Sequence, residues 1–363
     1  MTALGQASTP PRGMPEGSQA VRADEHGSTR RTVAARRALG AVVLLALLIL
    51  GIALSLSVGA NPLSLSDVWR SIVSPDGSET SSIVWGLRVP RTLVAIVAGA
   101  AFGVAGALIQ AMTRNPLADP GILGVNAGAG FAVVLGVGFF GVADIMGYVW
   151  CAMIGAVVAT VLVYLVGAAG SSSPSPVTLV LAGIALTAVL MAFTTFLTLI
   201  DEQTFQSFRR WGLGSVARTT VTETLTVVPF IALGILIALM IATSLNAVAL
   251  GDDQAVALGA NVMRTRVLGI VAVTLLAGAG TALTGGIAFI GLAVPHLVRW
   301  FTGPDQRWII VYTALAAGVL VLAADVLGRV IVRPGEMEAG VLTALVGAPV
   351  LIALVRRKKA SGL

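Results

Sequence analysis

The sequence predicts an all-α integral membrane protein with about ten transmembrane helices, and three observations carry that prediction. Of 363 residues, 56% are hydrophobic and only 11% are charged, with a mean hydropathy of +0.94; a soluble fold would have too little polar surface to cover itself. The apolar residues gather in blocks near the length of about 20 residues that crosses a bilayer. These blocks lack the alternation of a lipid-facing strand, and within lipid only helices and closed barrels satisfy the backbone.

The elements follow in chain order. Residues 1–37 are rich in Gly, Ser, Pro and Arg and show no apolar period, so a flexible cytoplasmic tail is expected. The stretch RRALGAVVLLALLILGIALSLSVGANP has the look of a signal peptide, but its long apolar part and polar leader favour a retained first span. Further spans are expected over 91–112, 121–139, 146–168, 177–200, 222–246, 267–284, 286–301, 308–328 and 339–355. The transmembrane domain therefore covers 38–357, with a short cytoplasmic tail at 358–363.

An even number of spans puts both termini on one side of the membrane. Arg30, Arg31, Arg36 and Arg37 precede the first span and Arg356, Arg357, Lys358 and Lys359 follow the last, which places both ends in the cytoplasm. The inner loops then add Arg114, Arg264, Arg266, Arg299 and Arg307. Outside stand Arg70, Arg88, Arg91, Arg209, Arg210, Arg218, Arg329 and Arg333, an unusual number for that side. Basic residues cluster at the ends of apolar segments rather than along one face, so the high pI of about 10.4 reflects topology and not nucleic-acid binding. The excess of Arg over Lys points to a GC-rich bacterial source.

Turn chemistry fits these boundaries. Asn115 and Pro116 stop the second helix, and Asp119 with Pro120 is expected to cap the third. Gly303, Pro304 and Asp305 separate two later helices, as do Pro334 and Gly335 on the outer side. Glycines at small-residue spacing, Gly99 with Gly103 and Gly124 with Gly128, are expected to let helix backbones approach closely.

Scarcity excludes several chemistries. The only lysines are Lys358 and Lys359, so no phosphate-binding loop ending in Gly-Lys-Ser/Thr exists. The histidines are His26 and His296, which excludes a paired-histidine zinc motif. Cys151 stands alone, and no Gly-x-Ser-x-Gly elbow occurs. Within the spans Asp325 is the clearest ionisable residue, with Arg329 one turn later as its expected partner. A proton relay would need more, which weakens an ion-coupled secondary transporter.

The inner loop ALGDDQAVALGANVMRTR interrupts the apolar pattern. Gly251 and Asp252 can start a short helix, Gly259 can end it, and Asn261 can cap a second. Ala255, Leu258 and Val262 fall on one side if the helical period continues, which suits either a groove on a soluble partner or a cap on the bundle's own inner face.

Four blocks carry a resemblance: LRVPRTLVAIVAGAAFGVAGALIQAMTRNPLADPGILGVNAGAG, LGDDQAVALGANV, GGIAFIGLAVPHLVRWFTGPDQRWI and ADVLGRVIVRPGEMEAGVLTALVGAPVLIALVRRK. They resemble the signature blocks of the iron-siderophore and vitamin B12 permeases of ABC importers, the last two most like the ferric-enterobactin permeases. The similarity runs from about residue 38 to the C-terminus. It implies the type II ABC importer permease fold, paired with a second permease subunit, a related chain being favoured over an identical copy. It further implies two copies of a cytoplasmic ATPase that hold ATP and Mg, and an extracellular or periplasmic substrate-binding protein. No cofactor or metal is expected on this chain, which is not itself an enzyme. The implied cargo is a ferric siderophore crossing a bacterial plasma membrane, with vitamin B12 or haem as the alternative.

The resemblance also implies site residues. The loop over 250–266 would couple to the ATPase through Asp252, Asp253, Gln254, Ala255, Leu258 and Gly259. Against the broader importer pattern Glu-Ala-Ala-x-x-x-Gly, this chain keeps Gly259 but has Asp253, Gln254 and Ala255 in the first three places. Arg88, Arg91 and Arg329 match positions that receive carboxylates from the binding protein; snorkelling or local pairing is the alternative. Gln110, Asn126 and Thr194 are the candidate pathway residues.

Overall fold

The computed structural model describes residues 16–59, 61–169, 176–332 and 335–356. Ten helices answer the ten expected spans: α1 (Glu16–Ser57), α4 (Val89–Thr113), α5 (Val125–Phe140), α6 (Ile145–Ala168), α7 (Pro176–Ile200), α9 (Val221–Ala249), α11 (Val262–Thr284), α12 (Ile290–Thr302), α13 (Gln306–Ile331) and α14 (Ala339–Arg356). Four shorter helices join them: α2 (Leu65–Val73), α3 (Glu79–Ile83), α8 (Glu202–Gly212) and α10 (Asp252–Ala257). Among the described residues, seven helices are long and apolar enough to cross a membrane alone, while α5, α12 and the described part of α14 are shorter. The backbone of α1 is helical back into the segment read as a tail, and its apolar span is Ala34–Ser57. Pro334, Arg333, Arg357 and both lysines lie outside the described residues.

The centre of the bundle is α4, packed against α13, α11, α9 and α12. Lipid offers no hydrophobic drive for helix association, so close backbone contact has to supply the packing. A Cβ on Gly99 would stand 2.6 Å from the carbonyl oxygen of Ala317 on α13, and one on Gly106 would stand 2.0 Å from that of Gly291 on α12. Only hydrogen fits at either crossing. Gly128 meets α6 in the same manner, but Gly124 does not: it takes φ 73° and ends a 3-10 turn, Pro120–Leu123. The span expected over 121–139 therefore begins as that turn. Asp119 caps the turn rather than the helix, its Oδ1 accepting from the Gly121 N–H at 2.8 Å. Burial pushes the Asp119 carboxyl up from its ordinary value, and the Gly121 bond partly offsets this.

The span expected over 286–301 is a 13-residue helix, α12, preceded by non-helical backbone from Gly285 to Phe289. Such backbone survives at membrane depth where protein covers it. Gly285 and Phe289 both take positive φ, 71° and 70°, and a Cβ on Gly347 of α14 would press 2.3 Å from the Phe289 Cβ.

The short helices α2, α3 and α8 were not expected from hydropathy, because each is too short and polar to register as a span. Their caps are nonetheless written in the sequence. Ser64, Ser78 and Asp201 accept from backbone N–H groups three residues on.

Candidate functional site

At the end of the bundle where α9 stops and α11 begins, Gly251 (φ 120°) breaks away from α9, α10 follows, and Gly259 (φ 81°) reverses the chain before Asn261 caps α11 by accepting from the Arg264 N–H at 2.9 Å. The capping expectations hold, with one change: the second helix is not a short one but α11 itself. Asp252 is clasped by Arg114 at 3.0 Å and Arg266 at 2.7 Å, which ties α10 to the ends of α4 and α11. Ala255 is fully enclosed against the bundle, while Val256 and Leu258 are 63% and 66% exposed. Ala255 and Leu258 thus face opposite ways, since the helix stops at Ala257 and the period does not carry on. Of the six expected coupling residues, Asp253, Gln254, Leu258 and Gly259 are presented to solvent; Asp252 and Ala255 anchor the element.

At the opposite end of the bundle, where α4 begins, Arg88, Arg91 and Arg329 converge with Asp325 and Glu336. Arg88 donates to the carbonyls of Leu56 and Asn61. Arg329 donates to the carbonyls of Ser55 and Val58, both at 2.8 Å, to the Ser55 hydroxyl at 2.9 Å and to Asp325. The last carbonyls of a helix have no partner within it and carry its negative dipole end, so guanidinium groups satisfy both needs of α1. At 5% and 3% exposure, Arg88 and Arg329 present no free fork to a partner in this conformation; local pairing describes them here. Arg91 lies nearer the surface, held by Asp325 at 2.7 Å and by the half-exposed Glu336 at 2.6 Å. These three arginines line a cavity of about 220 Å³.

The candidate pathway residues do not come together. Gln110 is fully enclosed at the inner end of α4 and lines no open passage in this conformation. Its role follows from Pro295: lacking an N–H, that proline leaves the Gly291 carbonyl without its helical donor. The Gln110 amide donates to that oxygen at 3.0 Å, and its own oxygen accepts from Arg299 at 2.7 Å. Asn126 is half-buried and accepts from the Thr281 hydroxyl at 2.8 Å. Thr194 is buried on α7, as are Leu179 and Gly183 nearer the start of that helix. Sequence reasoning missed Arg114, Arg299, Ser55 and Glu336, whose partners lie far away along the chain, and also Arg266, whose partner Asp252 stands 14 residues back in the same loop.

A family model described as the FecCD transport family matches residues 47–357. The chain belongs to the FecCD transport family. The match runs from within the apolar part of α1 to the end of α14, so α10 and the outer arginine cluster both fall inside the FecCD region. The chain is similar to the ferric enterobactin transport system permease protein FepD of Escherichia coli (strain K12), 46% identical over 332 residues that cover 91% of this chain and 99% of that protein. Two more relatives are FepG of the same organism, a ferric enterobactin transport system permease protein 34% identical over 82% of this chain and 89% of its own, and the hemin permease HmuU of Yersinia pestis, 34% identical over 88% and 94%. Among solved structures, an inward-facing metal-chelate type ABC transporter superposes with a TM-score of 0.77 at 28% identity, covering 88% of this chain and 99% of that one. This FecCD chain is a multi-pass membrane protein.

Proposed function

We propose that this chain is the permease subunit of an ATP-driven importer that carries ferric siderophores across a bacterial plasma membrane, both of its termini facing the cytoplasm. The observation that carries the reading is α10. It projects Val256 and Leu258 from the inner face while Asp252, locked between Arg114 and Arg266, fixes it to two transmembrane helices. An exposed apolar pair with an acidic rim suits a groove on a soluble partner. The sequence holds no phosphate-binding loop of its own, so energy enters by contact.

The mechanism follows from that geometry. Two copies of a cytoplasmic ATPase hold ATP and Mg and grip α10. Their closure pulls on the Asp252 clasp and so on α4 and α11 together. These are the most enclosed spans, and α4 slides on glycine crossings rather than interlocked side chains. A ligand shifts such an equilibrium only by its differential affinity for the two states, which nucleotide binding supplies. Outside, a substrate-binding protein delivers the chelate. Since Arg88 and Arg329 are occupied, its carboxylates meet the exposed Arg70, Arg209 and Arg210, with Arg91 at the rim.

Identity supports the cargo: 46% to a ferric enterobactin permease against 34% to a hemin permease. The Escherichia coli permeases FepD and FepG differ from each other in their likeness to this chain, 46% and 34%, which supports a related chain as the second subunit. The test is uptake by iron-starved cells lacking their own permeases and expressing this chain with its neighbours. Rescue by ferric siderophore and not by haem or cobalamin is expected; rescue by haem alone reassigns the cargo.

A further inference from the structure

We infer that the cleft between α6 and α11 is a binding site for one anionic phospholipid. The two helices touch where Ala156 faces Gly278, since a Cβ on Gly278 would lie 3.0 Å from that of Ala156. From that contact toward the end of α6 and the start of α11 they leave a cleft of about 330 Å³. Val157, Val161 and Leu165 form one wall, and Val267, Val271 and Leu275 the other. Thr160 and Thr274 also line it, yet each hydroxyl donates to the carbonyl four residues back on its own helix, Ala156 at 2.9 Å and Ile270 at 2.8 Å. The wall therefore offers a ligand no strong hydrogen bond from these threonines. Such an apolar slot, in a chain embedded in a bilayer, fits an acyl chain.

Arg264 selects the headgroup. It lies three residues before Val267 and seven before Val271, hence on the same face of α11 and one turn beyond the mouth of the cleft. Its side chain is exposed, and among the described residues it forms no salt bridge. Its neighbours differ: Arg266 is held by Asp252 at 2.7 Å, and Arg307 rests on the Thr243 hydroxyl at 2.8 Å. A free guanidinium at the end of an acyl slot matches a phosphodiester. A basic residue near an anionic headgroup contributes about 1 kcal/mol, roughly a fivefold preference over a zwitterionic lipid. A second permease is a less suitable cover for this cleft, because a broader exposed apolar face lies on α7, at Phe193, Phe196 and Leu199. Occupancy would brace the end of α11 to which α10 is tied. The assignment to the cytoplasmic leaflet rests on the orientation proposed above, but lipid binding itself does not.

The experiment is native mass spectrometry of the purified full-length chain in detergent, with phosphatidylglycerol or phosphatidylcholine of identical acyl chains. Phosphatidylglycerol should be retained about fivefold more. Arg264→Gln should bring the two lipids to parity, Arg307→Gln should leave the preference intact, and Val271→Trp should lower retention of both by filling the cleft. Equal retention by the unaltered chain, or a preference that survives Arg264→Gln, overturns the proposal. So does a cross-link from a photoreactive residue placed at position 271 to the second permease in native membranes, which would give the cleft to that subunit. Neither ATPase nor substrate takes part, so failure here leaves the transport reading untouched.

Discussion

Asp325 accepts from both Arg91 and Arg329 and is fully enclosed. Removing its carboxylate leaves buried guanidinium groups uncompensated, so Asp325→Ala should cost about 3–5 kcal/mol, read as a fall in the unfolding midpoint of the purified protein. Gln110→Met should cost about 1–3 kcal/mol in the same assay, because the Gly291 carbonyl and Arg299 lose their partner together. The outer arginines divide by the same logic. Reversing the exposed Arg209 and Arg210 should weaken docking of the binding protein without loss of folding, whereas Arg88→Glu should reduce the amount of folded protein. Equal docking by the Arg209 and Arg210 variants would move the docking surface elsewhere. Asp201 gives a pH-dependent case. Hydrogen bonds from Thr204 hold its carboxyl below the ordinary value, so its support of α8 is complete above the usual aspartate range and is lost as pH falls through the lowered one. The protection factors of the first amides of α8, corrected for the intrinsic pH dependence of exchange, should fall in acid only where Asp201 is present.

At the scale of the element, α10 carries the proposed coupling to the ATPase and the glycine crossings carry the packing. Gly259 has open space around it but φ of 81°, so a β-branched residue there is strained without any clash. Gly259→Val should leave membrane insertion intact and lower uptake. Gly106→Ala should fail earlier, in assembly, because its Cβ would lie 2.0 Å from a backbone oxygen. Hydropathy marks the ten helices because each must satisfy its backbone within one continuous segment, a local property that a window along the chain can read. The caps at Asp201, Asn261 and Asp305 are local too. The pair of Asp325 with Arg329, one turn apart, is local and as expected, but other partners are not: Ser55 lies 274 residues from Arg329, Arg299 lies 189 from Gln110, and Asp325 lies 234 from Arg91. No pattern in the sequence pairs them. The start of α5 was misread because Gly124 serves a turn, and spacing alone does not separate a packing glycine from a turning one.

At the scale of the molecule, the chain is a helical body that can be moved but has no phosphate-binding loop with which to drive itself. One end of the bundle offers α10, anchored by ion pairs to α4 and α11, and the other offers arginines of which Arg88 and Arg329 are spent on holding α1. The measurement that bears most directly on this account is uptake of a ferric siderophore by proteoliposomes containing this chain, its second permease and the ATPase, compared between the native chain and one carrying Val256→Asp and Leu258→Asp. The account predicts ATP-dependent uptake by the native assembly and none by the variant, with the ATPase no longer co-purifying. Undiminished uptake by the variant, or uptake by the permeases with no ATPase attached, would contradict it.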